Sequence, residues 1–263
     1  MMPALASTSD PDAALKERLL SALASRAGLA PRDGLRARLD DELARRPPAA
    51  RLVWADAALA AGPRDPAWLS LLEPMLVHET YFFRHVAQLA LLEQQLSAIG
   101  RPEVWCAACA TGEEAWTVAL LAPNAAVLGS DLSPEAIATA NAARYVGMAG
   151  LGPFRDIPAR WATRLPIANG VWEPSAPLRQ RVRFRPHNLA TEPPPMRHAD
   201  AVLCRNAMLY LTREAAARAE ETMRQALRPG GLLLLGPSER LVNPAGWAVV
   251  EAGGAVAFRR GGS

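Results

Sequence analysis

The chain has 263 residues, half of them apolar and 21% charged, with a formal net charge of +3. Such a length and balance fit a folded protein with a sizeable core. The small Arg excess, without basic runs interleaved with aromatics, excludes a dedicated nucleic-acid surface, and no apolar run is long enough for a bilayer-spanning helix.

Leu15, Leu19 and Leu23 recur at helical spacing, and Gly28 with Pro31 closes that helix. Leu35, Leu39 and Leu43 repeat the pattern up to Pro47-Pro48. A third helix is expected over Arg51 to Ala61, closed by Gly62-Pro63. Asp65-Pro66 supplies an N-cap and a first-turn proline for a helix carrying Trp68, Leu69, Leu72 and Met75. No strand pattern precedes residue 100, so residues 1–76 read as a helical domain and 77–263 as a second one.

The second domain alternates. Strands are expected at Glu103 to Ala107, Ala125 to Gly129, Val182 to Phe184, Ala201 to Cys204 and Leu232 to Leu235. Helices fall at Glu113 to Leu121, from Ser133-Pro134 to about Tyr145, and from Thr212 to Pro229-Gly230. Trp247 to Val250 and Ala255 to Arg259 read as a closing hairpin joined by Glu251 to Gly254. Strand–helix alternation implies a mostly parallel sheet with helices on both faces. Residues 147–181 interrupt it, and their Trp161 and Trp172, which favour burial, make them an inserted subdomain rather than a linker. Met1 to Asp12 do not read as a signal peptide, and three cysteines without one point to a reducing, cytoplasmic compartment.

Several residues carry chemistry. Ala107 to Gly112 follows a strand and opens a helix, where a nucleotide's backbone approach requires small residues. With one glycine it is a poor phosphate cradle, so it is either a tight turn or a seat for a phosphate-free nucleoside such as S-adenosylmethionine. Asp131 ends the next strand, about 20 residues on, where an acid accepts both hydroxyls of a ribose diol. Glu114 is open to two readings: contact with the amino group of a methionine moiety, or a capping box with Thr111. Cys106-x-x-Cys109 lacks the further ligands of a zinc site and fits a buried strand end; no metal is expected.

Six stretches stand in register: HETYFFR (78–84), VWCAACATGEEAWTVAL (104–120), GSDLSPEAI (129–137), VRFRPHNL (182–189), CRNAMLYL (204–211) and LRPGGLLLLGPSE (227–239). Together they resemble the CheR-type chemoreceptor glutamate O-methyltransferases over nearly the whole chain. The resemblance implies an α/β fold: a Rossmann-like class I methyltransferase domain with a small β-subdomain insertion, preceded by a small all-helical domain. It implies S-adenosylmethionine as cofactor, S-adenosylhomocysteine as product, and the cytoplasmic helices of a chemoreceptor as partner. Carried over residue by residue, His78, Thr80 and Arg84 would line the cofactor site. Glu114 would meet the methionine part, Asp131 the ribose, Asn188 and Leu189 the adenine. Arg205 and Asn206 would lie beside the methyl donor, with Arg84 and Tyr210 catalytic. This chain departs from the family at His78 for Asn, Ala110 for Ser, Leu211 for Phe and Pro237 for His. Arg36, Arg38, Arg45 and Arg46 either meet an acidic receptor helix or form a solvated face. A methyltransferase with another acceptor, and a non-catalytic cofactor-sensing module, are the alternative readings.

Overall fold

The computed structural model describes residues 11–148 and 150–262, which divide into two compact units at Leu76/Val77. The first unit holds α1 (Pro11–Ala27), α2 (Asp33–Ala44), α3 (Pro48–Ala60) and α4 (Pro66–Leu72), with a 3-10 turn over Glu73–Met75. Leu15, Leu19 and Leu23 of α1 and Leu35, Leu39 and Leu43 of α2 are all buried. This is what a stripe repeating every four residues delivers. The third helix begins three residues earlier than expected because Pro48 starts it: its missing N–H is an orphan there anyway. At α4, Asp65 caps as expected, its carboxylate accepting from the Ala67 amide at 2.8 Å.

The expected docking arginines are engaged within this unit. Arg36 pairs with Glu17, Arg45 and Arg46 share Glu42, and Arg38 donates to the Met75 carbonyl.

The second unit opens with α5 (Val86–Leu96), followed by β1 (Glu103–Ala107), α6 (Glu113–Leu121), β2 (Ala126–Asp131) and α7 (Pro134–Ala142). A short β3 (Tyr145–Val146) pairs antiparallel with β4 (Val171–Trp172), and α8 (Ala176–Arg179) leads into β5 (Val182–Pro186). Then come β6 (Ala199–Cys204), α9 (Arg213–Ala226), β7 (Leu227–Leu235), β8 (Trp247–Ala252) and β9 (Ala255–Arg260). The main sheet runs β5-β2-β1-β6-β7-β9-β8, and β9 is antiparallel to both its neighbours. Strand order reverses between β1 and β6, and ligands of open α/β sheets sit at the carboxyl ends of strands at such a point.

Alternation in β1 shows why both faces are covered. Val104 and Cys106 point into a core built with α5 and α6, whereas Trp105 and Ala107 point into another built with α9. Such two-sided burial is what a parallel sheet demands. In the 147–181 stretch, Trp161 stacks on Phe83 and Trp172 meets Phe82 edge-on, all four buried. The Arg-rich end of that stretch closes helices. Arg179 donates to the last carbonyls of α7, and Arg181 to those of α6, groups left orphaned at any helix C-terminus.

Four elements of the second unit also depart from expectation. Helix α5 has leucine periodicity, but its N-cap, His85, is left-handed with no capping side chain, so no start signal marks it. Helix α7 stops at Ala142 rather than near Tyr145, because Ala143 turns left-handed (φ 50°) and Tyr145 enters β3. Strand β7 starts at Leu227, not Leu232: Ala199 pairs with Leu227 and Ala201 with Leu232, so Pro229-Gly230-Gly231 bulges out of a continuing strand. The hairpin closes on two residues, Gly253-Gly254, both at positive φ, as a tight right-twisted hairpin prefers.

Candidate active site

The site residues gather at the carboxyl ends of β1, β2, β5, β6 and β7. After β1 the backbone is left-handed at Ala108 (φ 55°), Ala110 (47°) and Gly112 (95°). Alanine in that region stores strain, and such residues collect at functional loops. Gly112 is required for space as well as for φ: a Cβ there would lie 2.8 Å from the Ala140 Cβ and 3.0 Å from the Phe184 ring. Asp131 holds this loop. One carboxylate oxygen accepts from the Ala110 amide (2.8 Å), the other from the Ser133 amide (2.9 Å). The His187 amide donates to the Asp131 carbonyl at 2.8 Å, which ties Asn188 and Leu189 to the same strand end. Asn188 turns its side-chain oxygen back to the Ala190 amide, and Leu189 packs on the α9-side core.

The capping-box reading of Glu114 is corrected. Gly112 is the N-cap of α6, and the Thr111 hydroxyl donates instead to Glu113, 2.7 Å away. Burial pushes the Glu113 carboxyl above the usual range, opposed by that hydroxyl. Glu114 faces Arg205 in a buried ion pair, Nε to Oε2 at 2.5 Å. The same guanidinium donates through Nη1 to the Arg84 carbonyl at 2.6 Å. One arginine thereby joins α6, the exit of β6 and the segment before α5.

The segment before α5 is irregular, with Phe83 and His85 left-handed. Its frame is apolar: Phe82 and Phe83 are fully buried, and the Phe83 amide donates to the Thr117 hydroxyl. That burial presents the polar residues at the site end. His85 Nε2 lies 3.0 Å from Asn206 Oδ1. Burial lowers the pKa of this imidazole; the Asn206 bond and Glu114 oppose the shift, and the guanidiniums of Arg205 and Arg84 reinforce it. Arg84 itself is half-buried, donating to the Glu79 carbonyl and lying 5.5 Å over the Tyr81 ring. Thr80 is half-buried and His78 exposed on the same segment. Tyr210 ends a 3-10 turn over Met208–Tyr210 and is 36% exposed.

The structure thus bonds Glu114, Arg205 and the Arg84 carbonyl together, with Asn206 next in the chain and bonded to His85, and ties the segment carrying Asn188 and Leu189 to Asp131 through the His187 amide. His78 and Thr80 lie on the segment that carries Arg84, and Tyr210 closes the turn that follows Asn206. Sequence reasoning gave no role to Glu239 or His85, although both bond to Asn206. The signal for Glu239 was its place in the strand-exit stretch 227–239; for His85 there was none. All three cysteines are buried and free, and burial pushes their thiols up, so they pack as small apolar groups. Among the described residues no group of three or more potential ligands is placed to hold a metal.

A mostly parallel sheet with one antiparallel strand, a small-residue loop after β1 and an acid closing β2 define a Rossmann-like methyltransferase domain that uses S-adenosylmethionine. The donor set suits that cofactor: the strand ends carry the carboxylates of Asp131 and Glu114 rather than a glycine-rich phosphate cradle, as a cationic, phosphate-free nucleoside would require. The family model described as CheR methyltransferase, SAM binding domain, matches residues 78–253, and the chain belongs to that family.

The chain is 35% identical over 192 residues to an uncharacterized 104.1 kDa protein in the hypE 3' region of Rhodobacter capsulatus, covering 66% of this chain and 20% of that protein. It is 28% identical over 202 residues to a chemotaxis protein methyltransferase of Vibrio parahaemolyticus, covering 70% and 72% of the two chains. A SAM-dependent methyltransferase from Geobacter sulfurreducens, solved with S-adenosyl-L-homocysteine, aligns with a TM-score of 0.39 at 18% identity, over 60% of this chain and 51% of that one. No helix among the described residues is long and apolar enough to cross a membrane.

Proposed function

We propose that this protein methylates glutamate side-chain carboxylates on the cytoplasmic helices of a chemoreceptor, forming glutamyl methyl esters in the cytoplasm. The observation that carries the reading is the Arg205 clasp. By holding both Glu114 and the Arg84 carbonyl, it fixes the backbone that carries a second, half-buried guanidinium, which supports a role for Arg84 toward an anionic acceptor. Membership of a chemotaxis methyltransferase family supports the same acceptor class.

When bound, S-adenosylmethionine supplies a methyl group activated on a sulfonium. Asp131 would hold its ribose and Glu114 its amino group, with Asn188 and Leu189 at the adenine and His78, Thr80, Arg205 and Asn206 around the remainder. A glutamate acceptor has a reference pKa of about 4.3 and is already ionised at neutral pH, so the chain need supply no strong base. What it supplies is alignment, which by itself lowers a barrier substantially. Arg84 would grip one acceptor oxygen through a charge-assisted hydrogen bond, and Tyr210 would orient the carboxylate against the methyl group.

The test is transfer of labelled methyl from S-adenosylmethionine to receptor-containing membranes, followed by mild alkali. Release of the label as methanol is the expected result, with Arg84→Ala lowering kcat by about a hundredfold or more, the scale set by lost positioning. A base-stable methyl product would overturn the ester. That second outcome has its own support: the 35% identical relative is a much longer protein, and His78 and Pro237 depart from the family pattern. It would direct the search to another protein or small-molecule acceptor.

A further inference from the structure

We infer that Glu239 is a positioning residue for the cofactor site, a latch that locks the exits of β6 and β7 together. Its side chain is buried, 6% exposed, at the end of the loop leaving β7. One oxygen, Oε2, accepts from the Gly236 amide at 2.6 Å and from the Asn206 amide at 2.8 Å. The other, Oε1, accepts from the Leu209 amide at 3.2 Å. Three N–H groups from two separate loops therefore converge on one carboxylate.

The consequences fall on two residues placed at the cofactor. Asn206 is left-handed at φ 63°, a conformation that asparagine tolerates better than most residues and that local hydrogen bonds hold in place. Holding its amide fixes the backbone from which its side-chain oxygen reaches His85. Leu209 is the central residue of the 3-10 turn whose last residue is Tyr210, so the Oε1 bond sets where that turn begins. Gly236 completes the latch by absence. A Cβ on it would lie 2.7 Å from Glu239 Oε2 and 2.9 Å from the Asn206 amide nitrogen, so any side chain would pry the carboxylate from its donors.

The same unit contains a matched control. Glu220 is equally buried, at 3% exposed, and also accepts from backbone amides, those of Val242 and Asn243, but on α9 and with no site residue among these partners. Removing either carboxylate leaves partly buried N–H groups without their acceptor and costs stability. Only Glu239 should also cost ligand affinity.

The inference rests on the placement of Asn206 and Tyr210 at the cofactor, but its test does not need the acceptor. Calorimetric titration with S-adenosylhomocysteine would compare the 263-residue chain with its Glu239→Gln, Gly236→Ala and Glu220→Gln variants. Glutamine keeps one acceptor oxygen and turns an NH2 toward at least one donor. Expected are losses of affinity of about tenfold or more in Glu239→Gln and Gly236→Ala, the cost of misplaced binding groups, against less than about twofold in Glu220→Gln. Hydrogen exchange should show the Asn206 and Leu209 amides losing protection in the first two variants and regaining it at saturating ligand. Unchanged affinity with those amides deprotected, or an equal loss in Glu220→Gln, would overturn the latch. Should Glu239→Gln fail to fold, Gly236→Ala carries the same test with the native carboxylate present. A base-stable methyl product would sink the glutamate reading and leave this result standing.

Discussion

At the scale of single residues, Arg205 bears on both stability and chemistry. Its side chain is 2% exposed and its partner Glu114 is 11% exposed, so the pair lies out of water. Removing one member of such a pair strands the other's charge, which costs more than the pair itself contributes. Arg205→Met should therefore destabilise the fold by about 3–5 kcal/mol in urea unfolding, whereas the double change Arg205→Met with Glu114→Gln should cost clearly less. An additive double variant would show that the two groups are not coupled. This pair was only half legible in sequence. Both residues stood in motifs and both were placed at the cofactor, but 91 positions separate them, and spacing along the chain carries no information about such a bond.

At the scale of elements, close packing between β2 and β5 explains a glycine that no turn requires. Gly129 sits in β2, and a Cβ on it would come within 2.4 Å of the Phe184 ring and 3.1 Å of the Cys109 sulfur. The ring lies across the strand and is itself held against Trp116, with centroids 5.5 Å apart. Gly129→Ala should lower stability by about 1–3 kcal/mol through overpacking, and Phe184→Leu should recover part of that loss. Equal losses in the single and double variants, measured by thermal unfolding, would show that the ring is not the obstacle. Elements whose signals are local were readable: leucines every fourth residue gave α1 and α2, and Ser133, Asp65 and Thr212 cap as their side chains predict. The bulge in β7 was not, because Pro-Gly-Gly is also the signal for ending a strand. Only pairing with β6 resumes the ladder beyond it.

At the scale of the whole molecule, stability should depend on pH through two imidazoles, the half-buried His85 and the buried His187. Burial lowers the pKa of both His85 and His187 below the ordinary value; at His187 the Pro193 carbonyl and Glu192 oppose this and Arg185 adds to it. The unfolded chain then binds more protons than the folded one between the lowered values and about 6.5. Stability is thus full above that window and falls as pH drops through it. Around His85 the reason is visible: a charged imidazole would stand beside the guanidiniums of Arg205 and Arg84, opposed among the described residues by Glu114. Urea midpoints should fall between pH 7 and about 5.5, and His85→Asn should flatten the slope. A midpoint flat over that range would refute the assignment.

By itself the sequence determined the fold class, the family, the cofactor and most element positions. Fold class and element positions are written in local terms, apolar period, caps, small residues after a strand and an acid at the end of the next, whereas family and cofactor followed from the resemblance of six stretches in register. Tertiary structure alone decided how the polar residues share partners. The crossover from β1 to β6 brings Glu114 to Arg205, and the neighbouring exits of β6 and β7 bring Glu239 to an amide 33 residues away. A buried carboxylate must find its donors wherever the sheet order puts them, and that order is a property of the assembled core rather than of any stretch of chain.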